Sequence, residues 1–253
     1  MNNTIPFPPP EMRMLVGPTD VKFFDNPTGA YIFQNIPEKN YETVFDFGCG
    51  CGRIARQLIQ QTIRPKHYTG IDIHSGMIKW CQNNLTTAAP EFNFFHHDVF
   101  NLGLNPGANK PRIQLFPVDG KKFSLMIAWS VFTHLLESQT EFYLKEASRI
   151  LQPDGILLST WFLFDKKFFP MMQEFQNALF INDVDPTNAV VFDHNWLKKT
   201  LNAAGLKIIY IKPPEIRGFQ WILHIAPADN PLPEKDFPSD IAPFGLARPP
   251  VPT

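Results

Sequence analysis

The stretch T-V-F-D-F-G-C-G-C-G-R, residues 43–53, constrains this chain more than any other. Apolar Val44, Phe45 and Phe47 carry one acid, Asp46, and the run breaks into Gly48, Gly50 and Gly52. An apolar run bounded by glycine predicts a buried strand that ends in a tight turn. Residues 54–61 continue with helical spacing, Ile54, Leu58 and Ile59 on one side and Arg56, Gln57 and Gln60 on the other. The element is therefore strand, glycine turn, helix. Glycine suits such a turn because it tolerates positive φ and lets a ligand approach the backbone. A dinucleotide fingerprint needs its third glycine three residues after the second, where Arg53 stands. Here the spacing is G-x-G-x-G, with an acid two residues ahead of it.

Composition narrows the classes. A chain of 253 residues suffices for one large α/β domain or two small ones, and 44% hydrophobic residues allow a sizeable core. The formal net charge is −1, so no strong basic field exists to hold a phosphate backbone, and no nucleic-acid partner is expected. Cys49, Cys51 and Cys81 form no disulfide framework and lack zinc-site spacing. We read Cys49 and Cys51 as small residues in the turn, expect no metal, and expect a reducing, cytoplasmic setting. The first residues lack the charge and apolar pattern of a signal peptide. No apolar stretch approaches membrane-spanning length, so no membrane partner is expected.

Taken in order, residues 1–40 read as an N-terminal arm or cap. Pro8, Pro9 and Pro10 favour an extended start, a short amphipathic piece is expected within 12–24, and 28–35 reads as a helix ended by Pro37. The arm serves either as packing or as a lid. Strands are expected at 44–47, 67–73, 91–97, 122–129, 156–163, 206–212 and 219–226. Helices are expected at 53–61, 75–84, 141–151 and 194–204. Asp72 closes the second strand about twenty residues after the glycine turn, where such folds place an acid on a ribose. Asp98 closes the third. His96 and His97 are neighbours on a strand, face opposite ways and cannot share one site. Residues 101–122 form a long Gly- and Pro-rich loop. Segment 165–179 reads as a helix that Pro170 starts or kinks, and 164–190 is a candidate helical lid, rich in Phe and Met. Residues 227–253 hold eight prolines and read as an extended tail.

The strings DFGCGCGR, GIDI, HHDV, SVFTHL and EASRILQPDGILLSTWF, in that order, resemble class I S-adenosylmethionine-dependent methyltransferases of the small-molecule and polysaccharide-cluster type. The resemblance covers roughly 41–226. It implies an α/β, Rossmann-like, seven-stranded and mostly parallel sheet, with helices on both faces and an antiparallel last strand. It implies S-adenosylmethionine as cofactor. Gly48, Cys49, Gly50 and Gly52 would form the turn beneath its methionine part, and Asp46 would orient that turn and the amino group. Asp72 would take both ribose hydroxyls, and Ile73 would cover the adenine. Asp98 would accept from the adenine amino group, with Val99 beside the ring. Trp129 and Ser130 would line the methionine side, and Arg53 would reach the carboxylate. Ser124 stands where the family's fourth strand carries an acid. AWSV at 128–131 replaces an Asn/Asp-Pro-Pro-Tyr string, which argues against methylation of adenine or amide nitrogens.

The expected reaction is methyl transfer to a hydroxyl or amine of a small molecule, a sugar among the candidates. A hydroxyl acceptor needs a base, and His134, just past the fourth strand, is the candidate catalytic residue. Two other readings stand beside this one: a protein or peptide methyltransferase, and a non-catalytic S-adenosylmethionine-binding module. The acceptor and the oligomeric state have no legible code.

Overall fold

The computed structural model describes residues 5–33, 35–108, 112–182, 184–214 and 220–239. They divide into two compact units, Met1–Ile127 and Ala128–Thr253.

The first unit opens with a short helix, α1 (Pro10–Leu15). Strand and helix then alternate: β1 (Thr43–Phe47), α2 (Arg53–Gln60), β2 (His67–Asp72), α3 (Ser75–Cys81), β3 (Phe92–His96) and β4 (Phe123–Ala128). All pairings are parallel, in the order β3-β2-β1-β4. Every residue of β4 and four of the five in β1 are buried. Burial on both faces is what near-continuous apolar strands produce in a parallel sheet. Aromatic rings fill the core, with Tyr68 stacked on Phe92 at 4.7 Å and Phe45 between Phe116 and Phe123 at 4.8 and 5.2 Å. Ser124 ties β4 to β1. Its hydroxyl donates to the Asn40 carbonyl at 2.9 Å and accepts the Thr43 N–H at 3.0 Å.

The second unit holds α4 (Glu137–Ile150), β5 (Leu151–Phe164), β6 (Ala178–Phe180), β7 (Val190–Asp193), α5 (His194–Ala203), β8 (Leu206–Lys212) and β9 (Trp221–Pro227). β5 and β7 run parallel, whereas β6 lies antiparallel on β7. The last strand, β9, is antiparallel to both β5 and β8. Trp161 and Trp221 are buried, and Phe132 stacks on Trp161 at 4.3 Å. The chain is thus α/β and Rossmann-like, with mostly parallel strands and an antiparallel last strand.

Three expectations about elements fail. Residues 28–33 are turns, not helix. Their N–H groups are claimed elsewhere: Ile32 donates to Gln61 Oε1 at 3.1 Å and Phe33 to the Tyr41 hydroxyl at 2.9 Å. Asn26 accepts the Gly29 N–H through its backbone and binds the Ala30 carbonyl with its amide, the local competition that Asn offers a helix. Segment 165–179 is not a helix either. A single 3-10 turn, Lys166–Phe168, capped by Asp165, gives way to turns and then β6. Pro170 withholds a donor, and the β6–β7 hairpin supplies a competing ladder. Phe168, Met171 and Phe175 are exposed there. The described strands number nine rather than seven, the added pair being β6 and β7. Of the expected strand at 219–226, residue 219 lies outside the described residues, as do 240–253 of the expected tail.

Candidate active site

The glycine turn is stapled to the end of β2. The N–H groups of Gly48 and Cys49 both donate to the Ile71 carbonyl, at 2.8 and 3.0 Å. The Gly50 N–H donates to Asp72 Oδ2 at 2.8 Å, and the His74 N–H to Asp72 Oδ1 at 2.8 Å. Gly48, Gly50 and Gly52 have φ of 79°, 54° and 78°, the left-handed region that side chains resist. Two of them also have no room for a side chain. A Cβ on Gly50 would lie 2.6 Å from Val16 Cγ1, and one on Gly52 would lie 2.4 Å from Leu85 Cδ1. The glycines therefore answer to backbone shape and to neighbours within the protein.

Asp46 lies within β1, Asp72 ends β2 and Asp98 follows β3 by two residues, on the same, carboxyl side of three adjacent parallel strands. Open α/β sheets bind ligands beyond this edge. Asp46 is 1% exposed. Its Oδ2 accepts the Tyr68 hydroxyl at 2.6 Å, while Oδ1 is buried with no hydrogen-bond partner among the described residues. Burial pushes its carboxyl up to about 7. The Tyr68 hydrogen bond opposes the rise, the Asp72 charge adds to it, and the Arg53 charge opposes it. Burial likewise raises Asp72, against the pull of the His74 and Gly50 N–H groups. Arg53, partly buried at the start of α2, is lowered by burial and held up by the nearby Asp46. Its guanidinium makes no hydrogen bond or ion pair with a described residue. A buried, half-partnered carboxylate near such a cation suits a zwitterion, amino group to the acid and carboxylate to the guanidinium.

Each Asp72 oxygen spends one lone pair on a backbone N–H. Ile73 is half-buried, and its carbonyl lies 3.0 Å from His96 Nε2. Asp98 Oδ1 and the Val99 carbonyl both accept from the Asn105 amide, at 3.2 and 3.0 Å. His96 is exposed, whereas His97 is 2% exposed and packs edge-on against Phe47, so the pair is split as strand geometry requires. Cys49, Cys51 and Cys81 are buried free thiols, all pushed up by burial, Cys51 to about 12. They are packing residues.

The remaining expected site residues lie in the second unit. Trp129 is half-buried. Ser130 has φ of 58°, an uncommon value for a non-glycine residue, and sits just past β4. Its N–H donates to Thr160 Oγ1 at 2.7 Å and its hydroxyl to Gln220 Oε1 at 3.0 Å. His134 is exposed, and its Nδ1 pairs with the Thr187 carbonyl at 3.0 Å. With Nδ1 donating, Nε2 is the nitrogen left to take a proton. Trp221 is core, as its 2% exposure shows.

Sequence reasoning missed Tyr68, Asn105 and Val16. A tyrosine in an apolar strand, an asparagine in a long loop and a valine in an irregular arm carry no local signal. It also missed Asp165, Asp193 and His194, whose donor atoms lie within 4.8 Å of one another. The two aspartates cap chain ends, and His194 Nε2 lies 3.4 Å from Asp165 Oδ2. Asp165 takes the Lys167 ammonium at 2.7 Å, and Asp193 takes the N–H groups of Lys166 and Trp196.

A family model described as a methyltransferase domain matches residues 44–155. The fold is shared with an S-adenosylmethionine-dependent methyltransferase from Clostridium acetobutylicum ATCC 824. That match has 14% identity and a TM-score of 0.54, and covers 85% of this chain and 94% of that one. It is also similar to the mitomycin 7-O-methyltransferase MmcR, at 15% identity and a TM-score of 0.50, over 74% of this chain and 49% of that one. Residues 44–155 therefore match a methyltransferase domain, in a chain whose fold is shared with S-adenosylmethionine-dependent methyltransferases.

Proposed function

We propose that this enzyme methylates a hydroxyl or amine of a small molecule, a sugar among the candidates, and that the first unit holds the cofactor through Asp46, Asp72 and Asp98. The observation that carries the assignment is the buried Asp46 Oδ1 without a partner among the described residues, beside a turn whose glycines exclude side chains. Asp46 faces the cofactor ammonium, Arg53 its carboxylate, Asp72 the ribose hydroxyls and Asp98 the adenine amino group. Ile73 and Val99 lie at the adenine faces. When bound, S-adenosylmethionine supplies an electrophilic methyl group. The protein's share is to hold the acceptor in line with it and to keep water out, which supplies on the order of 7–11 kcal/mol in favourable cases.

His134 is the proposed base, with Nδ1 fixed by Thr187 and Nε2 receiving the acceptor proton. An oxygen acceptor also accords with the name of the mitomycin 7-O-methyltransferase. Unpaired thiols accord with a cytoplasmic setting. Among the described residues no helix is long and apolar enough to cross a membrane. Calorimetric titration tests the cofactor assignment. Wild type is expected to bind S-adenosylmethionine in the micromolar range and not NAD, and Asp72→Ala to lose at least 100-fold in affinity. Binding of NAD, or unchanged affinity in the variant, would sink it.

A further inference from the structure

Arg56 lies on the face of α2 that the helical spacing turns away from the core, yet it is 4% exposed. Its guanidinium is spent on two separate pieces of the N-terminal arm. Nε donates to the Pro6 carbonyl at 3.2 Å and Nη2 to the Ile5 carbonyl at 3.0 Å. Nη1 donates to the Phe24 carbonyl and to Asp25 Oδ1, both at 2.7 Å. The cation also lies over the Phe7 ring, 3.8 Å from its centre. One side chain thus pins residues 5–7 and 24–25 together and closes the chain between them into a loop. Gln57, the next residue, and Gln60, one helical turn on, reinforce the second foot through the Phe23 carbonyl and Asp25 Oδ1, at 2.9 and 2.6 Å.

The tip of that loop rests on the glycine turn. Met12 and Val16 pack against a buried cluster of Phe24, Cys51 and Met77. Val16 Cγ1 occupies the space that a Cβ on Gly50 would need. Gly50 is the residue whose N–H holds Asp72. A lysine could not make this clamp, because a point charge lacks the planar fork that bridges several carbonyls at once.

We propose that Arg56 is a positioning residue for cofactor binding: by clamping both feet of the arm it seats Val16 on Gly50 and fixes the turn that presents Asp72. The proposal rests on the cofactor assignment above. It is tested by titrating S-adenosylhomocysteine into wild type, Arg56→Lys, Val16→Ala and the double variant, with backbone hydrogen exchange over residues 10–24 in parallel. Arg56→Lys is expected to weaken binding about tenfold or more and to speed exchange in 10–24. It should raise the KM for the cofactor by more than it lowers kcat. Val16→Ala, which leaves the clamp intact, is expected to weaken binding several-fold. The double variant should be little worse than Arg56→Lys alone, since both changes remove one arrangement. Faster exchange with unchanged affinity in Arg56→Lys would make the arm mere packing and overturn the proposal. If Arg56→Lys fails to fold, unchanged affinity in Val16→Ala overturns it. Failure of the wild type to bind would sink the cofactor assignment, and this proposal with it.

Discussion

The two units solve different problems at the carboxyl ends of their strands. In the first, acids lie in β1 and β2 and just past β3, and Asp46 keeps acceptor capacity in reserve. Asp46 Oδ1 has no hydrogen-bond partner among the described residues, and each Asp72 oxygen holds a single N–H. In the second, Asp165 and Asp193 at the ends of β5 and β7 are consumed by caps and by Lys167. The same residue type at the same kind of position therefore leaves a buried oxygen without a partner among the described residues at Asp46 and closes chain ends at Asp165 and Asp193. What sets Asp46 apart is an oxygen that no donor among the described residues has claimed, whereas both oxygens of Asp193, like those of Asp72, already hold a backbone N–H.

That contrast can be broken by substitution, and the largest effect is expected in the turn. Gly52→Ala forces a side chain into φ of 78° and against Leu85. The strained backbone costs about 1–2 kcal/mol and the overpacking a further 1–3 kcal/mol, read by chemical denaturation. Cofactor affinity should fall with it. His134→Ala tests the second unit's part in turnover. A loss of about 100-fold in kcat with unchanged cofactor affinity is expected if Nε2 takes the acceptor proton. Unchanged turnover across pH would remove His134 from the reaction.

Asp46→Asn sharpens the comparison through pH. Because burial lifts the Asp46 carboxyl to about 7, the folded protein holds this proton in a range where the unfolded chain has released it. Its contribution to stability is therefore undiminished below about pH 4, falls as pH rises toward 7 and is level above. The full fall approaches ~4 kcal/mol, at about 1.4 kcal/mol per pH unit. Binding a cationic amino group demands the ionised form, so affinity should weaken up to tenfold for each pH unit below 7. The amide, which does not titrate, would abolish both slopes, whereas slopes that persist would place the titration elsewhere. The smallest effect belongs to the second unit. Asp193→Ala removes the cap of α5 and is expected to cost about 1 kcal/mol of stability with no change in cofactor affinity. A clear loss of affinity would mean the two sets of acids are not as different as their hydrogen bonds make them.

The glycine turn and the three acids of the first unit were legible because the constraint is local. Positive φ demands glycine, and an acid that closes an apolar run marks where a buried strand stops. Ser124 was legible as a departure but not as the knot between β1 and β4, which depends on Asn40 and Thr43. The arm was illegible for the opposite reason. Arg56, Gln57 and Gln60 look like the wet face of α2, and only the folded chain shows a second segment covering them. The 165–179 segment misled because Phe and Met spacing fits a helix, while Pro170 and a hairpin partner more than ten residues away decide the outcome. Helix and strand compete there on contacts that no local window contains.

The three cysteines have a use outside the reaction. They are the only thiols in the chain, and all are buried in the first unit. Cys49 and Cys51 lie in the turn, and Cys81 Sγ contacts the Gly50 carbonyl at 3.7 Å. A thiol reagent can reach them only when the surrounding structure opens. The rate of thiol modification is thus a built-in clock for breathing of the glycine turn. Its slowing by added cofactor would time, without any engineered label, how long a bound molecule keeps the turn shut.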